Sequence, residues 1–148
     1  MTIKQILEEL APGKRVSIAN NRFVCGGLMQ VTLEGGEVRH WIFNANSGML
    51  SVAPADEELI LFEAVDEEVE PDDDTILFRN KEYEFSYEDV GTISNLEGEA
   101  VGEEEDQITI ADYEADDGEI MRLVTNQNTG TQSAYVGERV VEDDVTEV

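Results

Sequence analysis

The stretch KEYEFSYED, residues 81–89, shows most clearly which secondary structure this chain prefers. Its aromatic side chains, Tyr83, Phe85 and Tyr87, alternate with the polar side chains of residues 82, 84, 86 and 88. Successive side chains of a β-strand point to opposite faces of the sheet. The stretch therefore predicts a strand with one buried face and one solvated face.

The same period of two recurs around Met29–Leu33 and Val38–Phe43. Turn motifs rich in Asn, Asp and Gly separate these runs at short intervals: ANNR (19–22), LEGGE (33–37), NANSG (44–48), RNKE (79–82), LEGE (96–99), EADDG (114–118) and NQNTG (126–130). Many short strands joined by tight turns predict an all-β, mostly antiparallel fold of about ten strands, built as a sandwich or a barrel. Gly26 and Gly27, inside a strand run, predict a bulge or a sharp bend.

One short helix is expected at the N-terminus. Thr2 and Gln5 have the spacing of a capping box. The apolar residues 3, 6, 7 and 10 recur at helical spacing, and Pro12 and Gly13 are expected to end the helix. A helix of two turns is not stable alone, so its apolar stripe should dock on the sheet.

The length of 148 residues predicts a single domain, 1–148. The acidic run 66–74 is interpreted as an exposed linker between two halves, 13–65 and 75–141. The halves share an order of residues that predicts an internal repeat, since Asn20 and Phe23 in the first correspond to Asn80 and Tyr83 in the second. The tail after residue 141 is expected to be frayed.

The net charge of −26 excludes some partners and leaves others open. Phosphate backbones and anionic membranes need clustered Lys and Arg, so nucleic acid and membrane surfaces are not expected as partners. Two explanations of the charge remain: adaptation to a salt-rich, halophilic cytoplasm, where salt screens self-repulsion, or attraction to a basic partner. The N-terminal stretch MTIKQILEEL does not resemble a signal peptide, and no run approaches the length of a membrane span, so we expect a cytoplasmic protein.

The residues that most often carry catalysis are scarce. Cys25 lies in the apolar run RFVCGGLMQV and is expected to be a buried structural thiol. His40, the single histidine, alternates with Val38 and Ile42 and is expected in the core or at its rim. A Cys25–His40 dyad stays as the alternative that would make the chain an enzyme.

Three carboxylates, Asp112, Glu114 and Asp116, have the one-three-five spacing of a calcium loop. Positions six and twelve of such a loop need Gly and an acid, but here they hold Asp117 and Leu123. The EF-hand interpretation therefore fails. A loose divalent-cation site and a solvated acidic turn remain as alternatives.

The second half of the chain resembles the bacterial family called domain of unknown function 4178. The resemblance lies in KEYEFSYEDVGTISNLEGE (81–99) and ITIADYEADDGEIMRLV (108–124), with a turn at Asn80, an aromatic strand at Tyr83, the pair Glu97-Gly98 and the step Asp112-Tyr113. The first half is similar more loosely, around Trp41. The resemblance implies a β-rich, non-enzymatic module with an accessory role, and it implies no catalytic residues.

The first functional hypothesis is a non-enzymatic accessory or protein-interaction module that needs no cofactor. An unknown protein partner, or a second copy of the chain, would meet an apolar edge at Trp41, Phe43 and Tyr135. The alternative is an electrostatic binder of basic partners, polyamines or divalent cations.

Overall fold

The computed structural model describes residues 1–99 and 102–148. The chain begins with helix α1 (Ile3–Glu9). Thr2 caps it through the predicted capping box: the Gln5 N–H donates to Thr2 Oγ1 (3.1 Å) and the Thr2 N–H donates to Gln5 Oε1 (2.9 Å). Ile6 is fully buried, so the short helix is held by packing, as predicted.

The rest of the described chain is dominated by antiparallel strands. They are β1 (Arg15–Ile18), β2 (Asn21–Leu33), β3 (Val38–Asn44), β4 (Met49–Ala53), β5 (Glu58–Val65), β6 (Thr75–Phe78), β7 (Lys81–Gly98), β8 (Gln107–Ala115), β9 (Ile120–Asn126), β10 (Gln132–Val140) and β11 (Val145–Glu147). Two single 3₁₀ turns, Pro54–Asp56 and Glu142–Asp144, precede β5 and β11. The all-β prediction with one N-terminal helix is confirmed.

Eight strands close into a barrel. Their order is β2-β3-β4-β5-β10-β9-β8-β7, and β7 pairs back onto β2. The short strands β1 and β11 extend the sheet beyond β2, and β6 extends it beyond β7. The sequence was compatible with either a sandwich or a barrel, and the pairing of β2 with β7 shows that the fold is a barrel.

The two longest strands, β2 and β7, close the barrel because both bend at bulges. The register of β2 against β3 shifts between Cys25 and Gly27, so the bend predicted at the paired glycines is confirmed. Gly27 lies opposite Gly98 in the β2–β7 seam, and a Cβ on Gly27 would lie 2.0 Å from the Glu99 carbonyl oxygen. A side chain there would push the closing strands apart.

The hairpins β1–β2 and β6–β7 have the same turn. Ala19 (φ 49°) and Asn20 (φ 67°) join the first pair, and Arg79 (φ 51°) and Asn80 (φ 64°) join the second. Two consecutive left-handed residues form the turn type that matches the twist of paired strands. In each half, five strands also pair in their order along the chain, β1–β5 in the first half and β6–β10 in the second. The origin of the halves by duplication stays a prediction.

Among the described residues, apolar side chains form one cluster inside the barrel and two outside it. The inner cluster includes Met29, Val31, Trp41, Phe62 and Ile110. One outer cluster joins α1 to β1–β5 through residues such as Ile6, Phe23 and Leu50. The other covers β7–β10 through Val69, Tyr83 and Met121. Strands that lie between the inner cluster and an outer cluster are buried on both faces, as the nearly continuous burial of β4 and β9 shows.

Two segments differ from the expectations. The tail is not frayed: β11 pairs with β1, Val145 is fully buried, and the Met1 ammonium donates to the Val145 carbonyl (2.6 Å). In the acidic segment 66–74, Val69 is buried against the outer cluster while its neighbours are exposed. The strict alternation of 81–89 also breaks at a bulge between Phe85 and Tyr87, which leaves Phe85 43% exposed.

Candidate ligand site in the barrel

A cavity of about 500 Å³ lies at one end of the barrel. The first residues of β8 and β10 and the last residues of β9 form part of its wall. We call it the barrel cavity. Its apolar lining consists of Met29, Trp41, Ile93, Ile108, Val124 and Tyr135. Cavities of about 300–1,000 Å³ with apolar walls and a few polar groups are typical of small-molecule sites.

The rim of the barrel cavity is acidic and amide-rich. Asp106, which is 8% exposed, accepts hydrogen bonds at Oδ2 from the Glu103 N–H (3.0 Å) and from Asn126 Nδ2 (2.9 Å). Asn126 Oδ1 in turn accepts from the Asn128 N–H (2.9 Å), which orders the β9–β10 turn. Hydroxyl groups of Thr129, Thr131 and Ser133 complete the rim. The described lining contains two carboxylates, Glu103 and Asp106, and no basic side chain.

Trp41 is the outstanding residue of the lining. It is 1% exposed, and its indole Nε1 has no hydrogen-bond partner among the described residues. A buried donor without an acceptor costs about 1–3 kcal/mol, and most buried polar groups in folded proteins are bonded. An acceptor supplied by a bound molecule is one way to satisfy such a group.

A buried arginine lies next to this tryptophan in the middle of the barrel. Arg122 is 1% exposed and donates to both carboxylate oxygens of Asp112, at 2.7 and 2.8 Å, and to Ser51 Oγ at 2.9 Å. Its guanidinium lies over the Trp41 ring (5.7 Å to the centroid) and the Phe62 ring (4.8 Å). These contacts hold Trp41 against a fixed polar group.

The opposite end of the barrel is closed by ion pairs. Arg139 donates to Glu114 (2.6 Å) and to Glu58 (3.3 Å). Arg39 lies over the Tyr87 ring (5.2 Å) with Glu37 at 3.5 Å, and its Nε has no hydrogen-bond partner among the described residues. The cleft between these residues is smaller, about 230 Å³, and both of its arginines already lie beside carboxylates.

The three aromatic residues proposed as an exposed edge are inside the protein. Trp41 is 1% exposed, Tyr135 7% and Phe43 8%, and all three belong to the inner cluster. The idea that they meet a protein partner at an edge needs correction, because barrel closure turns this face of β3 and β10 inward. Two of them, Trp41 and Tyr135, instead line the barrel cavity.

The three carboxylates considered as cation ligands lie in three different environments. Asp112 is bound by Arg122 inside the barrel, Glu114 is paired with Arg139, and Asp116 is exposed in the turn after β8. Two of the three charges are therefore already compensated. Among residues 1–99 and 102–148, no three His, Cys, Asp or Glu side chains are grouped to hold a metal ion.

Cys25 and His40 do not form a dyad. Cys25 lies opposite Asn44, whereas His40 lies opposite Gln30, so the two are about 15 Å apart along the hairpin. Cys25 is buried, as predicted, and burial raises the pKa of its thiol. His40 is half-buried, and burial lowers the pKa of its imidazole.

Sequence reasoning missed two residues of the barrel interior: Arg122, whose guanidinium lies over Trp41, and Asp106, which lines the cavity. Arg122 interrupts the apolar run IMRLV, and a single basic residue there is the signal that could have indicated a buried pair. Asp106 is the last residue of the acidic run 103–106. Because its neighbours in the run are also acidic, the sequence does not distinguish it from them.

Among the described residues, no helix has the length and apolar character to cross a membrane.

The chain shows no significant similarity to a curated protein. It likewise shows none to a solved structure. A family model, Domain of unknown function (DUF4178), matches residues 11–142, which include both halves of the barrel. The match confirms the resemblance in both halves of the sequence: the chain belongs to the DUF4178 family.

Proposed function

We propose that this chain is a non-enzymatic accessory module of the cytoplasm and that it acts by binding a small molecule in the barrel cavity. The observation that carries the proposal is the buried Trp41 at the apolar wall, with an indole Nε1 that has no partner among the described residues. A closed barrel with an apolar, open-ended interior is a common frame for such binding.

The rigidity of the site supports binding rather than catalysis. Trp41 is held by Arg122, which is itself held by Asp112 and Ser51. The two side chains most suited to nucleophilic or acid–base work, Cys25 and His40, are absent from the lining. The cavity thus offers apolar contact and hydrogen bonds around a fixed aromatic ring.

Trp41 provides the test, because it is the single tryptophan of the chain. The neutral fluorophore N-phenyl-1-naphthylamine is titrated into the protein, and energy transfer from Trp41 is recorded. The expected result is saturable binding of one probe molecule, accompanied by quenching of the indole emission. Non-saturable, weak partition of the probe would contradict the proposal.

A pair of matched variants locates the probe. Ser133 lines the barrel cavity, whereas its neighbour Gln132 points to the opposite face of β10. Ser133→Phe should fill the mouth and lower the probe affinity about tenfold or more, as expected when a bulky group occupies the space of a ligand. Gln132→Phe should leave the affinity unchanged. Equal effects of the two variants would place the probe elsewhere.

A second candidate function is electrostatic attraction of basic partners, polyamines or divalent cations. Six of the nine basic side chains already lie in ion pairs, so the 35 carboxylates have few internal partners. Such binding would be saturable and would weaken as salt rises. Spermidine, magnesium and a basic test protein are the probes, and absence of binding of all three at low salt would remove this candidate.

A further inference from the structure

The charge distribution around the barrel cavity indicates what kind of molecule it receives. We infer that the ligand is a small amphipathic cation, an ammonium group on an apolar body, with its positive end at Asp106 and Glu103. This inference rests on the function proposed above and adds the chemical class of the ligand.

Asp106 is a buried carboxylate at the rim of the barrel cavity. The side chain is 8% exposed, yet no basic residue pairs with it in the described part of the chain. By contrast, the other acidic residue buried to this degree, Asp112, is paired with Arg122. Buried charges are normally paired, so Asp106 lacks a cation that the barrel itself does not supply.

The Asp106 carboxylate has free acceptor capacity. Both hydrogen bonds to Asp106 use Oδ2, and Oδ1 accepts none from the described residues. The bonds from Glu103 N–H and Asn126 Nδ2 hold the group in place at the rim. A fixed carboxylate with one free oxygen is suited to accept from an ammonium group.

The wall of the cavity below the rim is apolar and aromatic. Ile93, Ile108 and Val124 offer apolar contact, and Trp41 offers an aromatic ring. The Trp41 Nε1–H, which has no partner among the described residues, can donate to the π-face of an aromatic ligand body. A bare metal ion or a fully hydrated cation would leave this surface unused. An apolar body beneath the ammonium group would bury it.

The test uses three probes with the same apolar body: 4-phenylbutylamine, 4-phenylbutan-1-ol and 4-phenylbutyrate. Binding is followed by Trp41 emission and by calorimetry. The ammonium probe should bind about tenfold more tightly than the neutral alcohol, in keeping with the strength of hydrogen bonds to charged groups, and the carboxylate probe most weakly.

Three variants test whether the preference for the amine depends on the carboxylates at the rim. Asp106→Asn and Glu103→Gln each remove one charge at the cavity, while Glu105→Gln removes one charge from the same loop outside the lining. Asp106→Asn should lower the affinity for the amine about tenfold and leave that for the alcohol unchanged. Glu103→Gln should also lower the affinity for the amine. It replaces Asp106→Asn as the test if circular dichroism shows that Asp106→Asn disturbs the fold. Glu105→Gln should have little effect.

The outcomes separate the inference from the proposed function. Equal affinities for the amine and the alcohol would overturn the inference and leave small-molecule binding intact. A loss in Glu105→Gln equal to that in Asp106→Asn would overturn it too, because the attraction would then belong to the overall charge. If none of the three probes binds and N-phenyl-1-naphthylamine also fails, the proposed function itself is wrong.

Discussion

Asp112 and Arg122 face each other on neighbouring strands inside the barrel and are joined by two hydrogen bonds, 2.7 and 2.8 Å long. The pair takes two charges out of water between apolar neighbours. Its formation depends on both partners, since either one alone would be an uncompensated buried charge.

Breaking this pair should be far more costly than replacing it. Asp112→Ala leaves Arg122 unpaired and should lower the free energy of unfolding by about 3–5 kcal/mol. The double variant Asp112→Leu with Arg122→Met removes both charges and should lie within about 2 kcal/mol of the original chain. Urea unfolding at pH 7 measures both. A double variant as unstable as the single one would contradict this account.

The thiol of Cys25 should be protected in the folded protein. Its side chain is 1% exposed and is hydrogen-bonded to the Gly27 carbonyl (3.5 Å), and burial raises its pKa, so little thiolate is present. Alkylation by iodoacetamide should be slower than in urea by about two orders of magnitude or more. Because the chain has a single cysteine, the mass shift reports this site alone. Rapid native alkylation would show that β2 opens.

Stability should decrease in alkaline solution because of two tyrosines. Burial and a hydrogen bond to Glu119 raise the pKa of Tyr83 above its ordinary value, and burial with a hydrogen bond to Asp89 raises the pKa of Tyr87 to about 12. The folded chain therefore holds these protons to higher pH than the unfolded chain. Their contribution is complete below pH 10 and is lost as the pH rises towards 12.

Urea unfolding between pH 8 and pH 12 tests this dependence. A variant with Tyr83→Phe and Tyr87→Phe should be less stable at pH 8, because two hydrogen bonds are lost, but should lose less stability between pH 10 and 12. Phenolate absorbance followed in parallel gives the titration itself. An unchanged alkaline slope in the variant would contradict the assignment.

Salt should raise the melting temperature. The net charge is −26, and the range over which exposed charges repel one another falls from about 10 Å at 0.1 M salt to about 3 Å at 1 M. If the acidic surface is an adaptation to salt, circular dichroism melts from 0.1 to 3 M KCl should show a large increase. A protein that is fully folded at 0.1 M and gains little would favour the electrostatic function.

Local features of the fold were predictable because short-range chemistry decides them. The capping box at Thr2 and Gln5 needs residues three positions apart, and Asn20 and Asn80 favour the left-handed turns that they occupy. The bend at Gly27 also follows from a local property, the missing side chain. The candidate site was not predictable in this way, since Trp41 and Asp106 come from distant parts of the chain.

Interactions between neighbours along the chain specify the antiparallel strands, their turns and the N-terminal helix, and composition sets the excess of negative charge. Period, turn residues and capping depend on neighbours along the chain, so they can be read from it. The pairing of β7 with β2 could not be read from the chain, because this contact depends on the cumulative bend of two long strands. This closure turned Trp41 and Tyr135 inward, enclosed the Asp112–Arg122 pair, and placed Asp106 at the rim of a cavity.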